Sequence, residues 1–221
     1  IQNHLSSIGL EDVLSKEEAE ALHGCAIVVK KFKPIAIEAV VRGYLIGPGW
    51  KEYKATGSIC GISLPPQMCL AEKLESPLYT PSSKAAVGGH DANISFNETE
   101  NIVGSEIATQ IKKVSLSIYN FAAEHALNCG IIIADTKFEF GLNSENQLTL
   151  MDEILTPDSS RFWSLADYTP GISPNSFDKQ IIRDYLETLN WNKSPPAPII
   201  PEEIMIQTAD KYRNVQTMLC N

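Results

Sequence analysis

Three charged residues recur at every second position in IIIADTKFEFG, residues 131–141: Asp135, Lys137 and Glu139. In an extended strand alternate side chains share a face, so these three would line one side while Thr136, Phe138 and Phe140 line the other. A solvated, cross-neutralised stripe would look the same. The next segment favours chemistry instead. After the turn-like GLNSENQ comes LTLMDEILTPDSSRFW, in which Leu148, Leu150 and Asp152 alternate with Thr149, Met151 and Glu153. A polar loop between two alternating runs predicts a hairpin. Two neighbouring strands would then bring Glu139 and Asp152 together, which is unfavourable unless a cation shares the place. Hard oxygen donors, few in number and with no Cys or His beside them, suit Mg2+ held together with substrate phosphates.

Such substrates also need fixed positive donors. Arg42 stands at the end of an apolar run in VVRGY, Lys84 in TPSSKA, and Arg161 after Ser159 and Ser160. A guanidinium grips a phosphate or carboxylate with two parallel bonds, whereas Lys acts as a point charge. Each alone reads as a surface ion pair; together, bordering irregular loops of an acidic protein, they point to an anionic small molecule. The chain has no GxxxxGK[ST], no GxGxxG, no GxSxG and no evident Cys/His nucleophile pair. Paired carboxylates also serve glycoside hydrolysis, but Lys137 between them and the downstream DSSR suit phosphate chemistry better. Residue types alone therefore reach Mg2+-assisted chemistry on anionic substrates.

The elements that would hold these groups follow from pattern. Ser15 with Glu18 is a capping box opening a short helix through Leu22. CAIVVKKFKPIAIEAVVRGYL predicts two strands around Lys30–Pro34, with Pro34 as the break. Residues 43–90 are rich in Gly, Pro and Ser and are expected to be an irregular, ligand-contacting surface. Ile107, Ile111, Val114, Ile118 and Phe121 recur at helical spacing behind an N-cap at Ser105, and Asn128 and Gly130 end that helix. His125 is expected on its packed side. Further helices are predicted from Ser176 and from Pro201 to about Leu219, joined by the stiff SPPAPIIP linker. The fold class is α+β.

At 221 residues, 43% apolar and 20% charged, the chain has the composition of an ordinary globular protein with room for a sizeable core. A net charge of −9 and a pI near 5.0 argue against nucleic-acid binding. No apolar stretch approaches the length of a membrane span, and no leader-like segment opens the chain. The five cysteines include no CxxC pair, and reduced thiols of a cytoplasmic protein are the expectation.

Longer blocks carry a resemblance. IEAVVRGYLIGPGWKEY, LYTPSSKAAVGGHDANIS, IIIADTKFEFG, MDEILTPDSSRFW and SFDKQIIRDYL closely resemble, in order and over roughly residues 1–190, the SAICAR synthetase (phosphoribosylaminoimidazole-succinocarboxamide synthase) family. The resemblance implies a two-lobed, kinase-like or ATP-grasp-like α+β fold with nucleotide between the lobes. Residues 1–33 would be the remainder of an N-terminal ATP-binding lobe and 34–221 a substrate- and Mg-binding lobe with terminal helices. The start of the N-terminal lobe, with its glycine- and lysine-containing phosphate loop, is expected to be absent from this chain and to precede it in the complete polypeptide.

The implied reaction joins the carboxylate of carboxyaminoimidazole ribonucleotide (CAIR) to the amine of L-aspartate, with ATP as co-substrate and Mg2+, in purine biosynthesis. It runs through an acyl phosphate. The resemblance assigns Glu139 and Asp152 to Mg2+, and Lys137 to the phosphates. Asp135 and Asp158 would order the site. Arg42, Lys84, Asp91 and Arg161 would grip the nucleotide substrate, with Lys179 and Arg183 closing its pocket, and Lys30, Lys31 and Phe32 would meet adenine. It specifies no oligomeric state. In this chain the loop after Arg42 reads GPG, where related sequences often carry a Ser, so Pro48 offers neither hydroxyl nor amide hydrogen. A small-molecule kinase and a non-catalytic Mg- or nucleotide-binding fragment are the alternatives on the same scaffold.

Overall fold

The computed structural model describes residues 1–84, 92–177 and 179–220. Helices α1 (Lys16–Ala21), α2 (Gly47–Thr56), α3 (Phe96–Val103), α4 (Ser105–Asn128), α5 (Gln180–Glu187) and α6 (Glu202–Cys220) are interleaved with strands. The strands are β1 (Lys33–Pro34), β2 (Ile37–Tyr44), β3 (Ser58–Ile59), β4 (Ile62–Ser63), β5 (Lys73–Tyr79), β6 (Ser82–Ser83), β7 (Ala92–Asn93), β8 (Ile131–Leu142), β9 (Leu148–Met151) and β10 (Ser160–Ser164). No helix among the described residues is long and apolar enough to cross a membrane.

The hydrophobic run of β8 makes it the centre of the antiparallel sheet. Its Asp135 pairs with Arg42 of β2 on one edge and with Arg161 of β10 on the other. Farther along, Gly141 pairs with Pro34 of β1 and Thr149 of β9. β5 and β6 extend the sheet beyond β2, and β7 lies beyond β6. The β8–β9 hairpin forms as expected. Its turn is closed by Asn143, whose Oδ1 accepts from the backbone N–H groups of Glu145 (3.0 Å) and Gln147 (2.8 Å).

One irregularity in β8 decides which face the charges take. Arg161 pairs with Asp135 but Phe162 pairs with Ile133, so Ala134 is the extra residue of a bulge. Before it, Ile131 and Ile133 face the main core; after it, Phe138 and Phe140 do. Without the bulge, alternation would put odd-numbered residues in the core throughout and bury Asp135, Lys137 and Glu139 there. The main core packs this face against Ile111, Tyr119 and Ala126 of α4 and Val215 of α6. The opposite face is covered by Tyr44, Ala71 and Trp163 at the Ile132–Ala134 end and open beyond it.

Several sequence expectations are corrected. Residues 25–32 form no strand; only an isolated bridge joins Val29 to Leu5. The stretch 43–90 is more regular than its composition suggests, holding α2 and β3–β6 among its described residues. Pro48 lies in the first turn of α2, where a missing N–H is harmless, and Gly57 closes the helix at φ 72°. α3 follows a capping box of Ser95 and Glu98. Ser105 is the first residue of α4, with Gly104 at the cap position. Phe121 is 79% exposed and His125 is exposed, its Nε2 lying 3.1 Å from the Leu219 carbonyl, because the buried line runs through Ala108, Ile111, Ser115, Tyr119 and Ala126. The helix expected from Ser176 begins at Gln180.

Candidate active site

The register of three strands places Arg42, Asp135 and Arg161 side by side. Asp135 Oδ2 accepts from Arg42 Nη1 at 2.8 Å and from Arg161 Nη1 at 2.5 Å. Asp135 and Arg42 are buried, so the pair is shielded from solvent screening. Burial pulls the Arg42 guanidinium below its ordinary pKa while Asp135 opposes the shift, and it stays charged. One carboxylate therefore faces two cations, which leaves net positive charge beside a cavity of about 300 Å³.

Glycines let the arginines sit there. A Cβ on Gly47 would fall 2.7 Å from Arg161 Nη2, and one on Gly49 would fall 3.0 Å from Arg42 Cδ. Gly47 also has φ 58°, a region that favours glycine. The GPG run thus packs the start of α2 against both guanidiniums, and Pro48 lines the cavity with them.

Lys137 lies next along the face of β8, its Nζ 3.2 Å from Glu38 and 3.7 Å from Glu139. Burial pushes its pKa down, but Glu38, Glu139 and Asp152 together outweigh it, so the ammonium is held above its ordinary value. Glu139 also pairs with Lys84. Across the smaller cavity, Lys179 at the cap of α5 pairs with Asp158, and this contact is the main reason the Asp158 carboxyl is held below its usual range. Arg183 lines the same cavity one turn on. Burial raises the neighbouring Glu153, which Asp158 reinforces.

A larger cavity of about 1040 Å³ adjoins Glu139 and Asp152. Lys30, Lys31, Phe32, Val29, Leu150 and Met151 form much of its wall. Asp152 lies just past the end of β9, at φ 63°, while Glu139 pairs with its neighbour Met151. Two carboxylates at the rim of a roomy cavity fit Mg2+, which commonly keeps waters and takes only one or two protein carboxylates beside phosphates. They are not a preformed cage: among the described residues no cluster of three or more His, Cys, Asp or Glu is assembled for a metal.

Of the residues singled out in sequence, Arg42, Asp135, Lys137, Asp158, Arg161, Lys179 and Arg183 meet at the smaller cavity. Lys30, Lys31, Phe32, Glu139 and Asp152 meet at the larger one. Lys84 reaches the junction through Glu139, and Asp91 lies outside the described residues. Sequence reasoning passed over Glu38, although Glu38, Val40 and Arg42 alternate with core Ile37, Ala39 and Val41 as plainly as the residues of β8 do. It also passed over Asn93, which carries no charge or motif.

The SAICAR synthetase family profile matches residues 1–198. The chain belongs to the SAICAR synthetase family. A phosphoribosylaminoimidazole-succinocarboxamide synthase from Pasteurella multocida is 54% identical over 217 residues, covering 98% of this chain and 76% of that protein. One from Methylococcus capsulatus is 54% identical over 220 residues, covering 99% and 74%. A SAICAR synthase from Saccharomyces cerevisiae, solved in complex with SAICAR, superposes with a TM-score of 0.87 at 35% identity, over 99% of this chain and 74% of that one. The mixed helix-and-sheet architecture is thus that of SAICAR synthetases.

Proposed function

We propose that this chain is a carbon–nitrogen ligase that joins CAIR to L-aspartate with ATP, giving SAICAR, ADP and phosphate. The observation that carries this reading, beside family membership, is the adjacency of two cavities along one face of β8. The smaller is ringed by guanidinium and ammonium groups suited to a phosphorylated, carboxylated nucleotide. The larger has apolar walls for a purine and carboxylates at its rim.

In this account Arg42 and Arg161 hold the anionic nucleotide, and Asp135 keeps both guanidiniums in place rather than touching substrate. Asp158 does the same for Lys179, and with Arg183 these close the pocket; Lys84 and Asp91 complete the grip on CAIR. Lys30, Lys31 and Phe32 line the adenine end. Glu139 and Asp152 would hold Mg2+, which when bound supplies charge neutralisation for the phosphates. Lys137, between the cavities and fully protonated near neutrality, stabilises charge as the γ-phosphoryl group of ATP moves to the CAIR carboxylate. The aspartate amine then attacks the acyl carbon, an amide bond forms, the carbon–oxygen bond to the phosphate breaks, and the amine loses a proton. Phosphorylation is needed because a carboxylate is a poor electrophile. In this reading residues 1–33 belong to the remainder of an N-terminal ATP-binding lobe and 34–221 to the substrate- and Mg-binding lobe, and the reaction runs in the cytoplasm, where the five free cysteines stay reduced.

The test is ADP release by the complete polypeptide with Mg2+, ATP and CAIR, with and without L-aspartate. Sustained release that requires aspartate and disappears in Asp152→Asn supports the ligase. Aspartate-independent turnover would indicate a kinase, and binding without turnover a non-catalytic protein.

A further inference from the structure

Glu52, in the middle of α2, is half-buried and ties together two segments distant in sequence. Its Oε1 accepts from the backbone N–H of Cys60 at 2.8 Å, and its Oε2 accepts from Nδ2 of Asn93 at 2.6 Å. The Cys60 N–H is fixed by the tight β3–β4 turn, in which Cys60 and Gly61 take φ of 50° and 79°. Asn93 sits on β7 and lines the smaller cavity.

An ionised carboxylate only accepts. Glu52 therefore dictates which arm of the Asn93 amide it meets: the NH2 group turns toward Glu52, and Oδ1 lies on the other side of the amide. The carboxylates that line the cavity are each engaged by a cation. Asp135 is engaged by two arginines, Glu38 by Lys137 and Asp158 by Lys179. The Ser82 hydroxyl donates to the Ala92 carbonyl at 3.1 Å. A nucleotide in this cavity presents donors as well as anionic groups, and a neutral acceptor reads a donor without repelling the phosphate.

Building on the ligase reading, we propose that Glu52 is a positioning residue: it sets the Asn93 amide so that Oδ1 accepts a hydrogen bond from a hydroxyl or amino group of CAIR. In Glu52→Gln the new amide has one acceptor, which the fixed Cys60 N–H claims, so its NH2 group faces Asn93. Asn93 must then rotate its amide and offer a donor where the substrate also has one.

The experiment measures kcat and each KM in the complete polypeptide for Glu52→Gln, Asn93→Ala and the double variant, with melting temperature as a control. The proposal expects KM for CAIR to rise about five- to ten-fold in each single variant, the size of one neutral hydrogen bond. It expects kcat and the KM values for ATP and aspartate to change less than about two-fold, and the double variant to be no worse than Asn93→Ala. An unchanged KM for CAIR in Glu52→Gln would overturn it, as would additive effects or an equal loss against all three substrates with a lowered melting temperature. If the unaltered polypeptide does not turn over, the ligase reading fails separately. The same ordering is then sought in CAIR affinity by calorimetry, and equal affinities, or no affinity at all, overturn the proposal.

Discussion

Replacing Asp135 with Asn should destabilise the fold more than any other single change of charge at the site. The side chains of Asp135 and Arg42 are 5% and 4% exposed, so neither exchanges its partner for water. At an effective dielectric constant of about 20, two unit charges about 4 Å apart attract by roughly 4 kcal/mol. The isosteric amide keeps an acceptor but loses that attraction, and it leaves a buried guanidinium that cannot deprotonate beside the second cation Arg161. Breaking a buried ion pair from one side typically costs about 3–5 kcal/mol. For a chain of this size that is a fall in melting temperature of roughly 6–20 °C. Arg161→Gln should cost about 1 kcal/mol or less, because its side chain is 22% exposed and Asp135 keeps Arg42 as a partner. Urea unfolding followed through buried Trp163 measures both. A loss below about 1 kcal/mol in Asp135→Asn, or equal losses in the two variants, would refute the view that Asp135 is the anchor of the pair.

Gly47→Ala should raise KM for CAIR about ten-fold or more while the protein stays folded, since the new methyl group must displace the Arg161 guanidinium; steady-state kinetics with an unchanged KM would count against this. Burial is the main cause that pushes the Cys60 thiol up from 9.0 to about 12. The fold therefore favours the neutral thiol, so its contribution is complete below pH about 9 and declines above it as the unfolded thiol ionises, by up to roughly 1.4 kcal/mol per pH unit. Alkaline unfolding should be shallower in Cys60→Ala, and at pH 8 iodoacetamide should label exposed Cys25 and Cys220 well before Cys60. Phe138→Ala, at a fully buried position, should cost about 3–5 kcal/mol, whereas Phe121→Ser should stay within about 0.5 kcal/mol; thermal denaturation that ranks them otherwise would contradict the packing of α4.

What could be read from sequence was what local periodicity controls. The alternation around Asp135, Lys137 and Glu139 and the polar loop after Gly141 gave the β8–β9 hairpin, and with it the placement of Glu139 and Asp152 at one cavity. The capping box at Ser15 and the end of α4 near Asn128 followed from side-chain capping and glycine placement. The misses have physical causes. In α2 the glycines and Pro48 imitate a turn, although Pro in a first turn is a helix start. β5 contains Pro77 and lacks clean alternation. The expected stripe through Ile107, Ile111, Val114, Ile118 and Phe121 follows a seven-residue repeat, whereas the buried line repeats at eleven, from Ala108 to Tyr119 and from Ser115 to Ala126. That small difference in period carries Phe121 and His125 out to solvent. The bulge at Ala134 has no local signature; only the demand that Ile133 and Phe138 share one core requires it. Asn93 became visible through its contact with Glu52, which no pattern along the chain encodes.

The central claim is that the two cavities along β8 pass a phosphoryl group from ATP to a carboxylate before nitrogen is joined to it. CAIR labelled with heavy oxygen in its carboxylate, incubated with the complete polypeptide, Mg2+, ATP and L-aspartate, tests this most directly by mass spectrometry of the released phosphate. The account predicts one labelled oxygen in the phosphate for each SAICAR formed. Amide formation accompanied only by unlabelled phosphate would contradict it.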